Sequence, residues 1–344
     1  MDTVPVKDEQ ENLLESNQSI VKQGRKFFSK IGLIFLIGTL VILALQIMTG
    51  YLLQTYASRQ IRQDMNVLMT LNVIAVYVIG LPLISFLLCR MPAAKPVERK
   101  MTLGSFLVAF LMCYALVYIT NWIGTGITYI IGLLKGGAVL DRVEAITTEL
   151  HPALSILYTV ICAPILEELV FRKRLIDRTL VYGEGVSILL SGLMFGLFHG
   201  NLNQFAYTFV MGMFWGFLYS KTGRIRYSMI MHALINFLGG VLAPWLLRHM
   251  PSQALAPAAD AAEQLQLILE QLPFYIGLLC YAVCILGIVI AGIVLLIVFR
   301  KRFKLEEKGT RIPKGKGFVT VFVNLGMLAF AGYYICQIVA QLLE

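Results

Sequence analysis

The sequence predicts an all-α fold: a polytopic transmembrane helical bundle of about nine spans, with its N-terminus in the cytoplasm. Three observations carry this expectation. Of the 344 residues, 58% are hydrophobic and 14% charged, where an ordinary soluble domain carries about 25% charged residues. Apolar runs of about 18 residues or more recur along the chain, the length at which a helix crosses a bilayer. The basic residues gather in alternate loops between those runs, which is the positive-inside pattern. The net charge of +9 therefore points to membrane lipids as partners and to no nucleic acid.

Taken in order, the polar stretch 1–30 shows no signal-peptide pattern. It reads as a cytoplasmic tail ending in Lys22, Arg25, Lys26 and Lys30, before an uncleaved first span. Spans near 31–54, 66–89 and 103–134 make an N-terminal transmembrane unit, 31–134. The third is too long for a straight crossing and is expected to tilt, or to break near Gly124 and Gly126. Spans near 152–171, 185–200, 203–220 and 226–247 form a helical core, 150–247. An outer loop and two accessory spans, near 272–299 and 318–343, make up 248–344. Arg90, Lys95, Arg99 and Lys100 follow span 2, and Arg172, Lys173, Arg174 and Arg178 follow span 4. Lys221, Arg224 and Arg226 separate spans 6 and 7, and the basic stretch 300–316 separates spans 8 and 9. The remaining loops, 55–65, 135–151, 200–203 and 248–271, are weakly charged or acidic. The alternation holds through nine spans and puts the C-terminus outside, as in a multi-pass protein of a bacterial plasma membrane.

All six cysteines lie in or beside apolar spans, where cysteine acts as a small hydrophobe, so no disulfide framework is expected. Ionisable groups at membrane depth are expensive and mark functional sites. Span 4 carries Glu167, Glu168 and Arg172 in "PILEELVFRKR", span 5 carries His199 in "FGLFHG", and span 7 carries His232 and Asn236 in "MHALIN". Glu168 and Arg172 are four apart and can pair on one face. Glu167, rotated by about 100°, is then turned elsewhere and left free. His232 and Asn236, also four apart, share a face. Glu167 and His199 lie equally far in sequence from the turn at Gly183, so an antiparallel hairpin would hold them level, roughly 24 Å from that turn. Asn72 and Asn121 read as interhelical glue, and His151 and His249 as interfacial residues.

"EELVFR", "FGLFH" and "HALIN", in that order on core spans, resemble the three signatures of the CPBP family of intramembrane proteases. That family includes the type II CAAX prenyl endopeptidases and bacterial bacteriocin-processing or immunity proteins. The signatures are Glu-Glu-x-x-x-Arg, Phe-x-x-x-His and His-x-x-x-Asn, and the resemblance covers about residues 150 to 245. It implies that 150–247 is a CPBP-type catalytic core. It also implies an endopeptidase acting on membrane-associated or lipidated protein or peptide substrates, cutting near the cytoplasmic side. Glu167 and His199 would activate a water, and His232 and Asn236 would donate hydrogen bonds to the oxyanion that develops. Glu168 and Arg172 would hold span 4 in place, with Phe195 packed one turn from His199. No cofactor is needed on this reading, there being no His-Glu-x-x-His, and Asn is a poor zinc ligand. The alternative is a metalloprotease with zinc held by Glu167, His199 and His232, and the other Glu as base. Outside proteolysis, the carboxylates could serve a proton- or cation-coupled transporter, although no second copy of the motifs marks a repeat. The remaining reading is a noncatalytic membrane scaffold of the same family.

Overall fold

The computed structural model describes residues 6–137, 139, 150–249, 261–306 and 309–343. Parts of the two weakly charged loops, 135–151 and 248–271, fall outside them. Among the described residues the fold is helical, without strands. The expected apolar segments each coincide with a helix: α1 (Val6–Tyr56), α2 (Met65–Cys89), α3 (Leu103–Lys135), α4 (Pro152–Tyr182), α5 (Glu184–Phe198), α6 (Leu202–Thr222), α7 (Arg226–Leu246), α8 (Ala261–Phe299) and α9 (Leu325–Leu343). Seven helices among the described residues are long and apolar enough to cross a membrane. The other two are α5, whose 15 residues reach only about 22 Å, and α6, which is long enough but more polar.

Three expectations change. The polar N-terminal stretch continues the first helix: α1 is a single helix of 51 residues. The 33-residue α3 runs through Gly124 and Gly126 without a break. Gly124 serves packing instead, since a Cβ there would meet Asn203 O at 3.0 Å and the Ala206 Cβ at 3.1 Å, so α6 crosses closely at this point. The ninth segment is interrupted: a short helix, Gly317–Val321, precedes α9, and Asn324 Oδ1 caps α9 by accepting from Met327 N at 3.1 Å.

Wide π-helical turns interrupt α2 (Ile74–Gly80), α4 (Ile156–Cys162 and Glu168–Arg174) and α7 (Leu238–Leu242). Three of them have the same local cause. Each ends two residues before a proline, Pro82, Pro164 or Pro244. A proline ring clashes with the carbonyl four residues back and offers no N–H. The backbone relieves this by reaching five residues back: Leu81 N–H bonds Val76 O, Ala163 N–H bonds Tyr158 O, and Ala243 N–H bonds Leu238 O. Such turns recur at functional sites because the extra residue re-aims the side chains around it.

Packing fixes where these turns meet. Helices α5 and α6 form a tight antiparallel pair in which a Cβ on Gly212 would lie 3.0 Å from Gly192 Cα, the small-residue contact that lets membrane helices approach. Phe28, Phe35, Phe171, Phe195, Trp215 and Phe330 are fully buried at the centre. The basic loops are laced together at one end of the bundle. Ala94 N donates to Asp177 O at 2.6 Å, Arg99 N to Thr222 O at 2.8 Å, and Arg178 Nε to Leu88 O at 2.8 Å. Lys221 pairs with Glu184 at 2.6 Å at the same end.

Candidate functional site

Charges buried in an apolar bundle must be partnered, and the partners here define the site. Glu168 and Arg172 pair as their spacing predicts: Arg172 Nε donates to Glu168 Oε2 at 3.2 Å, with both side chains wholly buried. The guanidinium lies over the rings of Phe195, at 4.6 Å, and Trp215, at 5.7 Å. Its Nη1 donates to Ser191 Oγ at 2.7 Å, and Ser191 passes its own proton to Phe171 O at 2.7 Å. Phe195 stands edge-on to His199, with ring centroids 4.9 Å apart, and to His232 at 6.0 Å.

Glu167 is turned away from this pair, as the helical rotation predicts, but it is not free. The phenol of Tyr77, carried by the π turn of α2, donates to its Oε1 at 2.7 Å. His232 stands between the two carboxylates, Nε2 3.8 Å from Glu167 Oε2 and Nδ1 3.4 Å from Glu168 Oε1. Trp215 packs against its ring at 4.6 Å. Nδ1 of His199 lies 2.8 Å from Phe195 O. A carbonyl only accepts, so Nδ1 carries the proton and Nε2 presents its lone pair. Asn236 Nδ2 donates to Thr159 O at 2.8 Å, which ties α7 to α4 and leaves one amide N–H uncommitted.

These groups meet at a cavity of about 1040 Å³. Glu167, His199, His232 and Asn236 all line it, while Glu168, Arg172 and Phe195 stand behind its wall. Tyr77 lines it too and escaped the sequence reading. Its one signal is position: tyrosines in membrane helices favour the interfaces, and this one falls near the middle of a span. The cavity extends from Glu167 toward the bundle end opposite the basic loops, bounded there by residues such as Gln46, Asn201, Pro244 and Gln341. Among the described residues, no three His, Cys, Asp or Glu side chains converge as metal ligands. Tyr77 takes up one oxygen of Glu167 and leaves Oε2 beside His232, while Glu168 is paired with Arg172.

Among the described residues, a helical membrane bundle thus brings carboxylate, imidazole and amide groups together on one internal cavity. Residues 149–238 match the family described as Type II CAAX prenyl endopeptidase Rce1-like. The "Putative membrane peptidase YdiL" of Bacillus subtilis (strain 168) is 33% identical over 103 residues, 29% of this chain and 38% of that protein. No solved structure matches the chain significantly. The resemblance to this family is confined to residues 149–238, and the chain spans well under half of the relative's length.

Proposed function

We propose that the protein is an intramembrane endopeptidase that hydrolyses peptide bonds of membrane-associated substrates with a water activated by Glu167 and His199. The Glu167 carboxylate, oriented by Tyr77, takes a proton as the water oxygen attacks the scissile carbonyl. His199 Nε2, its tautomer fixed by the Phe195 carbonyl, accepts a hydrogen bond from the same water. His232 and the uncommitted N–H of Asn236 donate to the oxyanion. The proton then passes from Glu167 to the leaving nitrogen, the C–N bond breaks, and a carboxylic acid and an amine leave. Glu168 and Arg172 keep α4 in register behind the site. In this mechanism no cofactor takes part, and the partners are membrane lipids and the substrate.

The observation that carries this reading is that Glu167, His199, His232 and Asn236, from α4, α7 and the end of α5, all line one cavity. The test is cleavage of a membrane-peptide pool by purified protein in lipid. Glu167→Gln is expected to lower the rate by about 10²- to 10⁴-fold with an unchanged unfolding temperature. Cleavage at the wild-type rate would remove Glu167 as the base. Elemental analysis and chelator dialysis are expected to leave activity intact, and activity lost to chelator and restored by zinc would overturn the cofactor-free mechanism.

A further inference from the structure

The walls of the cavity describe what it can hold. Its polar lining mixes hydroxyls with uncharged carboxamides, among them Gln46 from α1, Asn72 from α2, Asn121 from α3, Gln204 from α6, Asn236 from α7 and Gln337 from α9. The phenols of Tyr118 and Tyr281 stand among them. Among the described residues, no Lys, Arg or Asp lines the cavity, and Glu167 is its carboxylate. A carboxamide offers both donors and an acceptor, the same pairing groups as a peptide unit. A substrate must be unwound before a peptide carbonyl can meet the water, and unwinding at membrane depth strands backbone N–H and C=O groups at several kcal/mol each. Carboxamides from six helices can replace those lost bonds. Gln46 already bonds Asn72, and Gln204, Asn236 and Gln337 each donate to a neighbour, but each amide keeps further pairing capacity that a peptide can use and an isoprenyl chain cannot.

The direction in which the cavity runs adds a second constraint. The cavity runs toward the second half of α1, the first half of α2, the start of α6 and the ends of α7 and α9. At the opposite end, three or more basic residues stand in each of four places, the first half of α1, the segments after α2 and α8, and the α6–α7 junction, Lys22, Lys95, Arg224 and Arg302 among them. Arg59, Arg62, Lys135 and Arg248 lie at the end toward which the cavity runs, a much smaller set. The positive-inside rule puts the heavily basic end in the cytoplasm.

We infer that the substrate is an extended, uncharged polypeptide segment without an attached lipid, taken from the extracytoplasmic face. This rests on the endopeptidase reading above. Two measurements on the full chain test it. Gln337→Cys at the end toward which the cavity runs and Lys95→Cys at the basic end are made separately after the native cysteines are replaced, with folding checked by monodisperse elution. A membrane-impermeant maleimide is expected to label Gln337→Cys in intact cells and Lys95→Cys only after permeabilisation; the reverse overturns the inference. The reconstituted wild type is then given a pool of short uncharged peptides, with and without a C-terminal farnesyl-cysteine. Unlipidated peptides are expected to show kcat/KM at least about tenfold higher, and a preference for farnesylated ones overturns the inference. If neither set is cut above the Glu167→Gln background, the endopeptidase reading fails and takes the substrate class with it, while the labelling result still fixes the face toward which the cavity runs.

Discussion

At the scale of single residues, the site divides into groups that sequence spacing announces and groups it does not. Glu168 with Arg172, and His232 with Asn236, lie one helical turn apart, so their shared faces follow from the helix itself. Tyr77 and Ser191 are recruited across the bundle. Tyr77 meets Glu167 from 90 positions away, and Ser191 meets Arg172 from 19, separations on which helical periodicity is silent. Tyr77→Phe keeps the ring and removes only the proton that orients Glu167. A hydrogen bond to a charged group contributes about 1.5–3 kcal/mol, so kcat should fall about tenfold or more while the unfolding temperature holds, as steady-state kinetics and thermal melts will show. Glu168→Gln should do the opposite. It leaves the Arg172 charge wholly buried without its counter-ion, an imbalance of about 3–5 kcal/mol. Its signature is a lower unfolding temperature and less folded protein, not a slower enzyme per folded molecule.

At the scale of elements, helix positions were legible because apolar runs of bilayer length have few other uses, and each expected segment coincides with a helix, the ninth with an interruption before α9. How the helices deviate from regularity was not. The same prolines that read as ordinary members of apolar runs widen α2, α4 and α7 beside the cavity, and the turn in α2 carries Tyr77. For a related reason the sequence left tilt and break as alternatives for α3, of which the continuous helix removes the break: sequence does not distinguish a glycine that lets a helix bend from one that lets a neighbour approach. In α3 Gly124 is the second kind and Gly126 faces open space. The α5–α6 crossing gives the sharper test. At Gly212 an added Cβ already stands 3.0 Å from Gly192 Cα and 3.1 Å from Phe195 Cδ1. Gly212→Val should force the helices apart and destabilise by about 1–3 kcal/mol, displacing Phe195 from beneath both histidines. Gly126→Ala should leave melting and activity unchanged, so equal losses in the two variants would remove the close approach as the cause.

At the scale of the whole molecule, the family signature covers 149–238, but the cavity does not stop there. Its walls include Gln46 of α1, Tyr77 of α2, Asn121 of α3, Tyr281 of α8 and Gln337 of α9, none of them inside the matched segment. Charge alternation made the two ends of the bundle legible, because loop charges are read locally. The cavity was not, because it exists only where nine helices meet. The flanking helices are thus part of the site's construction, and α9 shows how. Phe330 is fully buried and meets Phe35 of α1 edge-on at 5.8 Å and Tyr334 edge-on at 5.0 Å. Tyr334 bonds Thr39 of α1 at 2.9 Å and packs on Phe198, next to His199, at 5.7 Å. Phe330→Ala removes the centre of that chain of contacts and should destabilise by about 3–5 kcal/mol. If α9 only thickens the bundle, the surviving folded protein will cleave at the wild-type rate. If α9 holds the end of α5, as the Tyr334–Phe198 contact indicates, kcat per folded molecule falls together with the melting temperature, and the more conservative Tyr334→Phe, which breaks only the bond to Thr39, falls between the two.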